Sequence, residues 1–218
     1  MIKLATAETA HTVAEELLKV GAIKIQPQKP FTWASGWKSP IYCDNRLSLS
    51  FPNTRTRIKN YLTAEVKQHF SEVEVIAGVA TAGIPQGALV ADALNLPFLY
   101  VRAKPKGHGM ENMIEGKVDK GQKVVLVEDL ISTGGSSIKA AKALAEAEAD
   151  ILGMVAIFTY GFDLSVNNFK EAGISLACLS DYNHLIERAI ALGLIAEKDR
   201  EMLKAWRANP SDWGKNKS

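Results

Sequence analysis

The chain has 218 residues and a mass of 23.7 kDa, and its 26 Lys and Arg against 24 Asp and Glu leave a formal net charge of +2. Hydrophobic residues make up 47% and charged residues 23%, which excludes a mainly disordered chain and argues against a dedicated nucleic-acid binder. The two cysteines, Cys43 and Cys178, belong to no CxxC or Cys/His cluster, so we expect reduced, mostly buried thiols rather than a zinc site.

The N-terminus does not resemble a signal peptide, because Glu8, Glu15 and Glu16 interrupt any apolar stretch. The apolar run from Ile151 to Phe158 is far shorter than the ~20 residues that cross a bilayer. We therefore expect a cytoplasmic protein that makes no membrane contact.

The first third of the chain combines two helices with an irregular segment. Thr6 or Thr9 can cap a helix that runs to about Val20, where Gly21 ends it. Residues 22–52 hold four prolines and two tryptophans, which indicates loops and short strands. Those short strands are expected at about Phe31–Trp33 and Pro40–Cys43, and Asn53 is expected to cap a second helix that runs to about Phe70.

Short apolar runs then alternate with helical segments, which is typical of parallel strands buried on both faces. The pattern predicts an α/β fold with a doubly wound sheet flanked by helices. The predicted strands are Val73–Val79, Phe98–Val101, Lys123–Val127, Ile151–Phe158 and Ile174–Leu179, and the predicted helices are Pro85–Leu94, Ser136–Ala147, Asp181–Leu192 and Glu197–Ala208.

The segment from Arg102 to Gln122 has neither a helical nor a strand period, although it lies between two strands. A loop of this length is uncommon in a compact domain and is usually functional. Its five Lys and Arg against three Asp and Glu, with His108 beside them, suit a glycine-hinged lid that closes on an anionic substrate.

The most informative segment runs from Val124 to Ser137. Four apolar residues precede Glu128 and Asp129, which are predicted at the carboxyl end of a strand, where open α/β sheets bind ligands. The small residues that follow can cradle a phosphate with their amides at a helix N-terminus. The carboxylates would repel that phosphate, so they are expected to accept hydrogen bonds from sugar hydroxyls or to hold a metal through water. The segment lacks the GxxxxGK[ST] pattern of a Walker loop.

Residues 125–136 resemble the phosphoribosyl pyrophosphate (PRPP) signature of the type I phosphoribosyltransferases. Three further segments resemble the orotate phosphoribosyltransferases of that family: Phe31 to Arg46 their N-terminal hood segment, Gly78 to Pro85 their pyrophosphate loop, and Arg102 to Gly109 their catalytic loop. The resemblance covers nearly the whole chain. It implies one domain with the type I phosphoribosyltransferase fold, in which a hood of about residues 1–50 and parts of the C-terminal region cover a core of about residues 53–180.

The resemblance also implies a reaction, in which N1 of orotate attacks C1 of PRPP to yield orotidine 5′-monophosphate and pyrophosphate, a step of UMP biosynthesis. Three loop residues would be catalytic by neutralising the departing pyrophosphate: Arg102, Lys106 and His108. PRPP would also be bound by Lys104, Glu128, Asp129, Leu130, Ile131, Ser132, Thr133, Gly134, Gly135 and Ser136. Orotate would be bound by Ser132, Ile41 and Tyr42.

The same resemblance implies Mg²⁺ as cofactor, held mainly by PRPP and water rather than by side chains, and a homodimer in which the catalytic loop serves the neighbouring subunit. The chain departs from some members of the family at three places. Ala34 and Ala82 stand where those members have lysines, and Tyr160-Gly161 stands where an arginine reaches orotate.

Three other functions would fit parts of this sequence. A phosphoribosyltransferase acting on a purine base would share the PRPP loop but not the hood segment. A regulator that senses PRPP and binds nucleic acid would need a broad basic face or an added segment, which neither the charge nor the length suggests. A hydrolase of phosphorylated sugars would need a nucleophile and base pair that the sequence does not show.

Overall fold

A computed structural model describes residues 2–33, 35–104 and 113–213. Its centre is a seven-stranded sheet in the order β1-β11-β10-β9-β6-β7-β8. All neighbouring strands run parallel except β7 and β8. The strands of this sheet are β1 Ile2–Leu4, β6 Val75–Val79, β7 Phe98–Val101, β8 Ile114–Glu115, β9 Lys123–Ile131, β10 Asp150–Thr159 and β11 Leu176–Asp181.

Helices cover both faces of the sheet, so its central strands are buried on each side. Every residue of β6 is buried, and Val124 to Val127 of β9 have no exposed surface. This explains why the strands read as unbroken apolar runs, and it confirms the predicted α/β class with a mostly parallel sheet. The helices are α1 Ala7–Lys19, α2 Pro52–His69, α3 Gly83–Leu94, α4 Gly135–Glu146, α5 Asp163–Glu171, α6 Tyr182–Ala191 and α7 Arg200–Ala208.

Two of the predicted helix starts have the expected caps and one does not. The Thr6 side chain accepts from the Thr9 amide at the start of α1, and Asp181 accepts from the His184 amide at the start of α6. Asn53 does not cap α2, because Pro52 occupies the first turn and Phe51 is the N-cap residue. Proline suits that position, since its missing N–H would have no partner in the first turn.

Four elements depart from the sequence prediction. Strand β9 continues to Ile131, so the two acidic residues lie within the strand rather than after it, and Glu128 pairs with Ala156 of β10. Helix α5 was not predicted, since its short polar sequence buries only Ser165 and Phe169. Strand β1, at the N-terminus, pairs with β11 at the sheet edge, and β8 lies inside the segment predicted to be a loop.

Two small antiparallel ladders, here called the hood ladders, lie between α1 and α2. They are β2 (Ile23–Ile25) with β5 (Ile41–Cys43), and β3 (Phe31–Thr32) with β4 (Lys38–Ser39). A 3₁₀ helix over Asn45–Ser50 follows them. Helix α7 packs over this region, where the indole N–H of Trp206 donates to the Lys38 carbonyl at 3.1 Å. The C-terminal part of the chain therefore packs against the ladders.

No helix among the described residues combines the length and the apolar character needed to cross a membrane.

Gly83 is required by the close packing of α3 on β9. A Cβ at this position would overlap the Val127 carbonyl oxygen and lie 3.3 Å from the Glu128 Cα. We predict that Gly83→Ala lowers the free energy of unfolding by about 1–3 kcal/mol, the usual range for an overpacked core, in urea denaturation. Gly135→Ala is the matched control, because a Cβ there meets nothing within 4 Å. Equal stability of the two variants would contradict the prediction.

Candidate active site

The two acidic residues of β9 differ in their surroundings. Glu128 is buried, and its carboxyl oxygens accept from the Asp129 amide at 3.0 Å and from the Ser137 hydroxyl at 2.9 Å. Asp129 is half-buried beside it. Ser137 lies in the first turn of α4, so this hydrogen bond also joins the strand to the helix that follows it.

Burial sets the ionisation of this acidic pair. It raises the pKa of Glu128 well above the usual range, and the neighbouring Asp129 charge raises it further. Burial also raises the pKa of Asp129. Both shifts favour the protonated form of each carboxyl relative to its form in water, and a ligand that supplies hydrogen-bond donors or positive charge would oppose them.

Asn45 ties the segment after the hood ladders to the acidic pair. Its side chain is buried, and its amide donates to the Asp129 carbonyl at 2.6 Å. Its side-chain oxygen accepts from the Cys43 thiol at 3.3 Å. Sequence reasoning missed this role, because no local pattern signals a contact between residues 84 positions apart.

The turn after β9 leads into the N-terminus of α4. Gly134 has a left-handed conformation with φ of +81°, and the ring of Phe169 lies 2.7 Å from where a Cβ would be. Asn168 of α5 supports the turn by donating to the Thr133 carbonyl at 2.9 Å. No side chain caps α4 and its first turn has no acidic residue, so its amides are available for an anion.

Two neighbouring strands end beside this turn. The loop between β6 and α3 holds Thr81 and Ala82 near the surface, and the Ala80 amide donates to the Val101 carbonyl at 2.9 Å. Arg102 follows β7 directly and contacts Glu115 at 3.4 Å. A small cavity of about 60 Å³ has both Arg102 and Ser136 in its wall, so the predicted phosphate turn, Leu130 to Ser136, and the start of the predicted catalytic loop lie together.

A cavity of about 400 Å³ opens next to the acidic pair. Its walls come from the hood ladders and from the ends of β9 and β10. Among the described lining residues none has a charged side chain, although the Lys38 ammonium donates to the hydroxyl of one of them, Thr32, at 2.8 Å. The lining residues are Thr32, Trp33, Tyr42, Cys43, Leu130, Ser132 and Tyr160.

The predicted site residues are thus brought together in part. Ser132 and Tyr42 line the cavity, whereas Ile41 is fully buried behind it, and its carbonyl accepts from the Trp33 indole and from the Ser39 hydroxyl. Arg102 lies beside the phosphate turn, and Lys104 is exposed two residues further on. Three residues discussed above lie outside the described residues: Ala34, Lys106 and His108.

The acidic pair is the candidate for a divalent ion, but it offers only two carboxyl groups. In residues 2–33, 35–104 and 113–213 no cluster of three or more His, Cys, Asp or Glu side chains could hold a metal. An ion at this place would need most of its oxygen ligands from a bound substrate and water.

Glu128→Gln should stabilise the free protein at neutral pH. Because the pKa of Glu128 is raised in the folded state, its contribution to the stability of the protein is fully present below the ordinary pKa of 4.5. That contribution is lost as the pH rises through the pKa of the folded state. We predict that the variant unfolds like the wild type at about pH 4 but is more stable by about 0.5–2 kcal/mol at about pH 8, measured by urea denaturation.

The matched control is Glu197→Gln, since the Arg200 guanidinium lowers the pKa of the exposed Glu197 carboxyl. This control should gain no stability at either pH. Equal stability of the wild type and the Glu128→Gln variant at both pH values would show that burial does not raise the pKa of Glu128.

Known proteins similar to this chain share both its sequence and its fold. Residues 53–170 match the family model described as "Phosphoribosyl transferase domain". The chain is 58% identical to an orotate phosphoribosyltransferase of Cytophaga hutchinsonii over 203 residues, covering 93% of this chain and 97% of the relative. It is 54% identical to the orotate phosphoribosyltransferase of Listeria monocytogenes serotype 4b, with 93% and 97% covered.

Solved structures agree with this likeness. The crystal structure of orotate phosphoribosyltransferase from Aeropyrum pernix matches with a TM-score of 0.73 and 28% identity, covering 84% of this chain and 99% of that one. An adenine phosphoribosyltransferase of Leishmania donovani matches at a TM-score of 0.63 and 18% identity, a likeness of fold alone. The sheet order, the acidic pair before its phosphate turn and these relatives together show that the chain belongs to the orotate phosphoribosyltransferases of the phosphoribosyl transferase family.

Proposed function

We propose that the protein transfers the 5-phosphoribosyl group of PRPP to orotate and releases pyrophosphate, as the names of its relatives indicate. One observation carries the proposal. Ser132 belongs both to the phosphate turn and to the wall of the 400 Å³ cavity, so a base in that cavity would lie next to a sugar phosphate on the turn. Such placement turns a reaction between two substrates into one within a single complex.

The turn from Leu130 to Ser136 is the proposed site of the PRPP 5′-phosphate. Its backbone amides at the start of α4 carry no competing side-chain cap. The small side chains and the left-handed Gly134 allow the backbone to approach the phosphate closely. The hydroxyls of Ser132, Thr133 and Ser136 add further donors.

Glu128 and Asp129 are the proposed partners of the ribose hydroxyls. They cannot serve the phosphate, because like charges repel at short range. Ribose hydroxyls would donate to Asp129 and to the outer lone pairs of Glu128, whose other hydrogen bonds to Ser137 and to the Asp129 amide hold it in place. PRPP binding would thereby relieve part of the cost of burying the pair.

The departing pyrophosphate is the centre of negative charge in this reaction. We assign its neutralisation to Arg102, Lys104, Lys106 and His108, supported by the concentration of basic side chains in this segment of the sequence. Donors aimed at a leaving group act best where water is excluded, which suits a loop that closes over the substrate. A homodimer in which this loop serves the neighbouring subunit is part of the same proposal.

The described residues fit a divalent ion that arrives with PRPP. The acidic pair supplies two oxygen donors near the ribose position, and the rest of the coordination would come from the substrate and water. Mg²⁺, when bound, supplies positive charge to the pyrophosphate oxygens. Ionised Asp129 would be favoured in its presence, because a nearby cation lowers the pKa of a carboxyl.

The test of the proposed function is a base panel. The protein is mixed with PRPP and Mg²⁺ and with orotate, uracil, adenine, guanine or hypoxanthine in turn, while pyrophosphate release and base absorbance are followed. We expect turnover with orotate only. Turnover with a purine would overturn the assignment of the cavity. PRPP binding without turnover of any base would instead favour a PRPP sensor.

Lys106→Ala tests the leaving-group role. We predict that kcat falls by about 10²–10³-fold, in the range seen when one charge-stabilising donor is removed, while the Kd for PRPP changes little. Steady-state kinetics and calorimetry measure the two quantities. Lys117→Ala is the control, since Lys117 is exposed and pairs only with Asp119 at 3.0 Å among the described residues. Equal losses of kcat and of PRPP affinity in Lys106→Ala would contradict the role.

A further inference from the structure

We propose that Asn45 is a positioning residue that holds the hood ladders on the end of β9 and so prepares the sites of both substrates before either one binds. The proposal rests on the function proposed above and deepens it. Asn45 itself belongs neither to the wall of the 400 Å³ cavity nor to the phosphate turn. Its effect on the two substrates is therefore indirect, and it is the same for each.

The Asn45 side chain takes the place of a missing strand neighbour. β6 pairs with β9 only as far as Val127, so the Asp129 carbonyl, two residues further on, lies beyond that ladder. The Asn45 amide donates to this carbonyl at 2.6 Å. Only 1% of Asn45 is exposed, so its amide would be costly to leave unpaired. The hydrogen bond thus joins the 3₁₀ helix after the hood ladders to the strand that carries the acidic pair.

The other end of the same carboxamide contacts the wall of the 400 Å³ cavity. Its oxygen accepts from the Cys43 thiol at 3.3 Å, and Cys43 is part of that wall. On the strand side, Asp129 is followed directly by Leu130, which lies in the same wall. One side chain therefore holds the two halves of the cavity together.

The hood ladders depend on such bonds because they are too small to be stable alone. Their strands have two or three residues each, and isolated ladders of this size are unstable in water. The Trp206 indole bonds to the Lys38 carbonyl at 3.1 Å on the side of α7. Asn45 provides the bond on the side of the acidic pair. Without it, we expect the ladders to separate from β9 in a fraction of the molecules.

Both substrates, at their proposed positions, need the ladders to be docked on β9. A base in the cavity contacts walls from the ladders and from the strand ends, so it requires the two to lie together. The ribose of PRPP would bind Asp129, whose main chain Asn45 fixes. Burial raises the pKa of Asp129, and the nearby Arg46 guanidinium, which pairs with Asp44 at 2.7 Å, opposes this rise. Docking thereby favours the ionised Asp129, the better acceptor for ribose hydroxyls.

A fraction of undocked protein would weaken the binding of each substrate by the same factor. The apparent Kd of a ligand is its intrinsic Kd divided by the fraction of molecules that are competent to bind it. A first ligand that holds the ladders on β9 removes this penalty for the second. Loss of Asn45 should therefore weaken each substrate alone and leave its binding nearly normal when the other is already bound. A general loss of stability would not produce this rescue.

The experiment measures the binding of PRPP and of 1-deazaorotate, an orotate analogue in which a C–H group replaces the nucleophilic N1, so that no reaction occurs. Calorimetry with Mg²⁺ present gives the Kd of each ligand alone and at saturation with the other. The variants are Asn45→Ala, which removes the carboxamide, and Asn45→Asp, which keeps its shape and replaces the donor by an oxygen. Ser180→Ala is the matched control, because the buried Ser180 hydroxyl donates to the Ala10 carbonyl at 2.8 Å outside the cavity wall and the phosphate turn.

We expect both Asn45 variants to raise the Kd of each ligand alone by the same factor, about 5- to 50-fold, within the range for a buried polar group left unpaired. With the other ligand bound, each Kd should return to within about 2-fold of the wild-type value. Ser180→Ala should lower the melting temperature and leave every Kd unchanged.

Three results would overturn the proposal. They are a weakening of one ligand only, an equal weakening with and without the other ligand, and unchanged Kd values in the folded variants. A wild type that does not bind PRPP would instead contradict the proposed function.

Hydrogen exchange of the wild type tests the proposal without any variant. PRPP alone should slow the exchange of amides in the hood ladders, although its proposed phosphate site is the turn after β9. Unchanged exchange in the ladders on PRPP binding would contradict the role of Asn45, even if neither Asn45 variant folds.

Discussion

Burial of two neighbouring carboxyl groups in the central strand is the constraint on which the rest of the structure depends. Glu128 lies in β9, which runs between β6 and β10, and its side chain is buried. Its remaining partners are the Ser137 hydroxyl and the Asp129 amide. An apolar strand end would be more stable, and the proposed hydrogen bonds from ribose hydroxyls would offset part of this cost.

The position of the hood ladders follows from long-range hydrogen bonds rather than from their own stability. Strands of two or three residues cannot persist alone in water. Here Asn45 bonds to the Asp129 backbone, and Trp206 bonds to the Lys38 backbone from the far end of the chain. The walls of the 400 Å³ cavity are therefore fixed by residues that do not line it, and its shape depends on the docking of α7.

Positive and neutral donors are separated within the site. Arg102, the first cation of the basic segment, lies beside the turn from Leu130 to Ser136. The base cavity has aromatic walls and, among its described residues, only uncharged polar groups. This division suits the two proposed substrates, because a flat base gains from aromatic contact whereas a polyphosphate gains from charged donors.

The sequence by itself determined the α/β class, strands such as Phe98–Val101 and the acidic pair before a phosphate turn, because burial on both faces and capping leave local patterns. The tertiary structure decided the rest. Asn45 and Trp206 act across 84 and 168 positions, and no local pattern signals either contact. Asn53 has the composition of a cap, but Pro52 begins the helix before it. Contacts between distant residues depend on how the elements pack, which no short window of sequence contains.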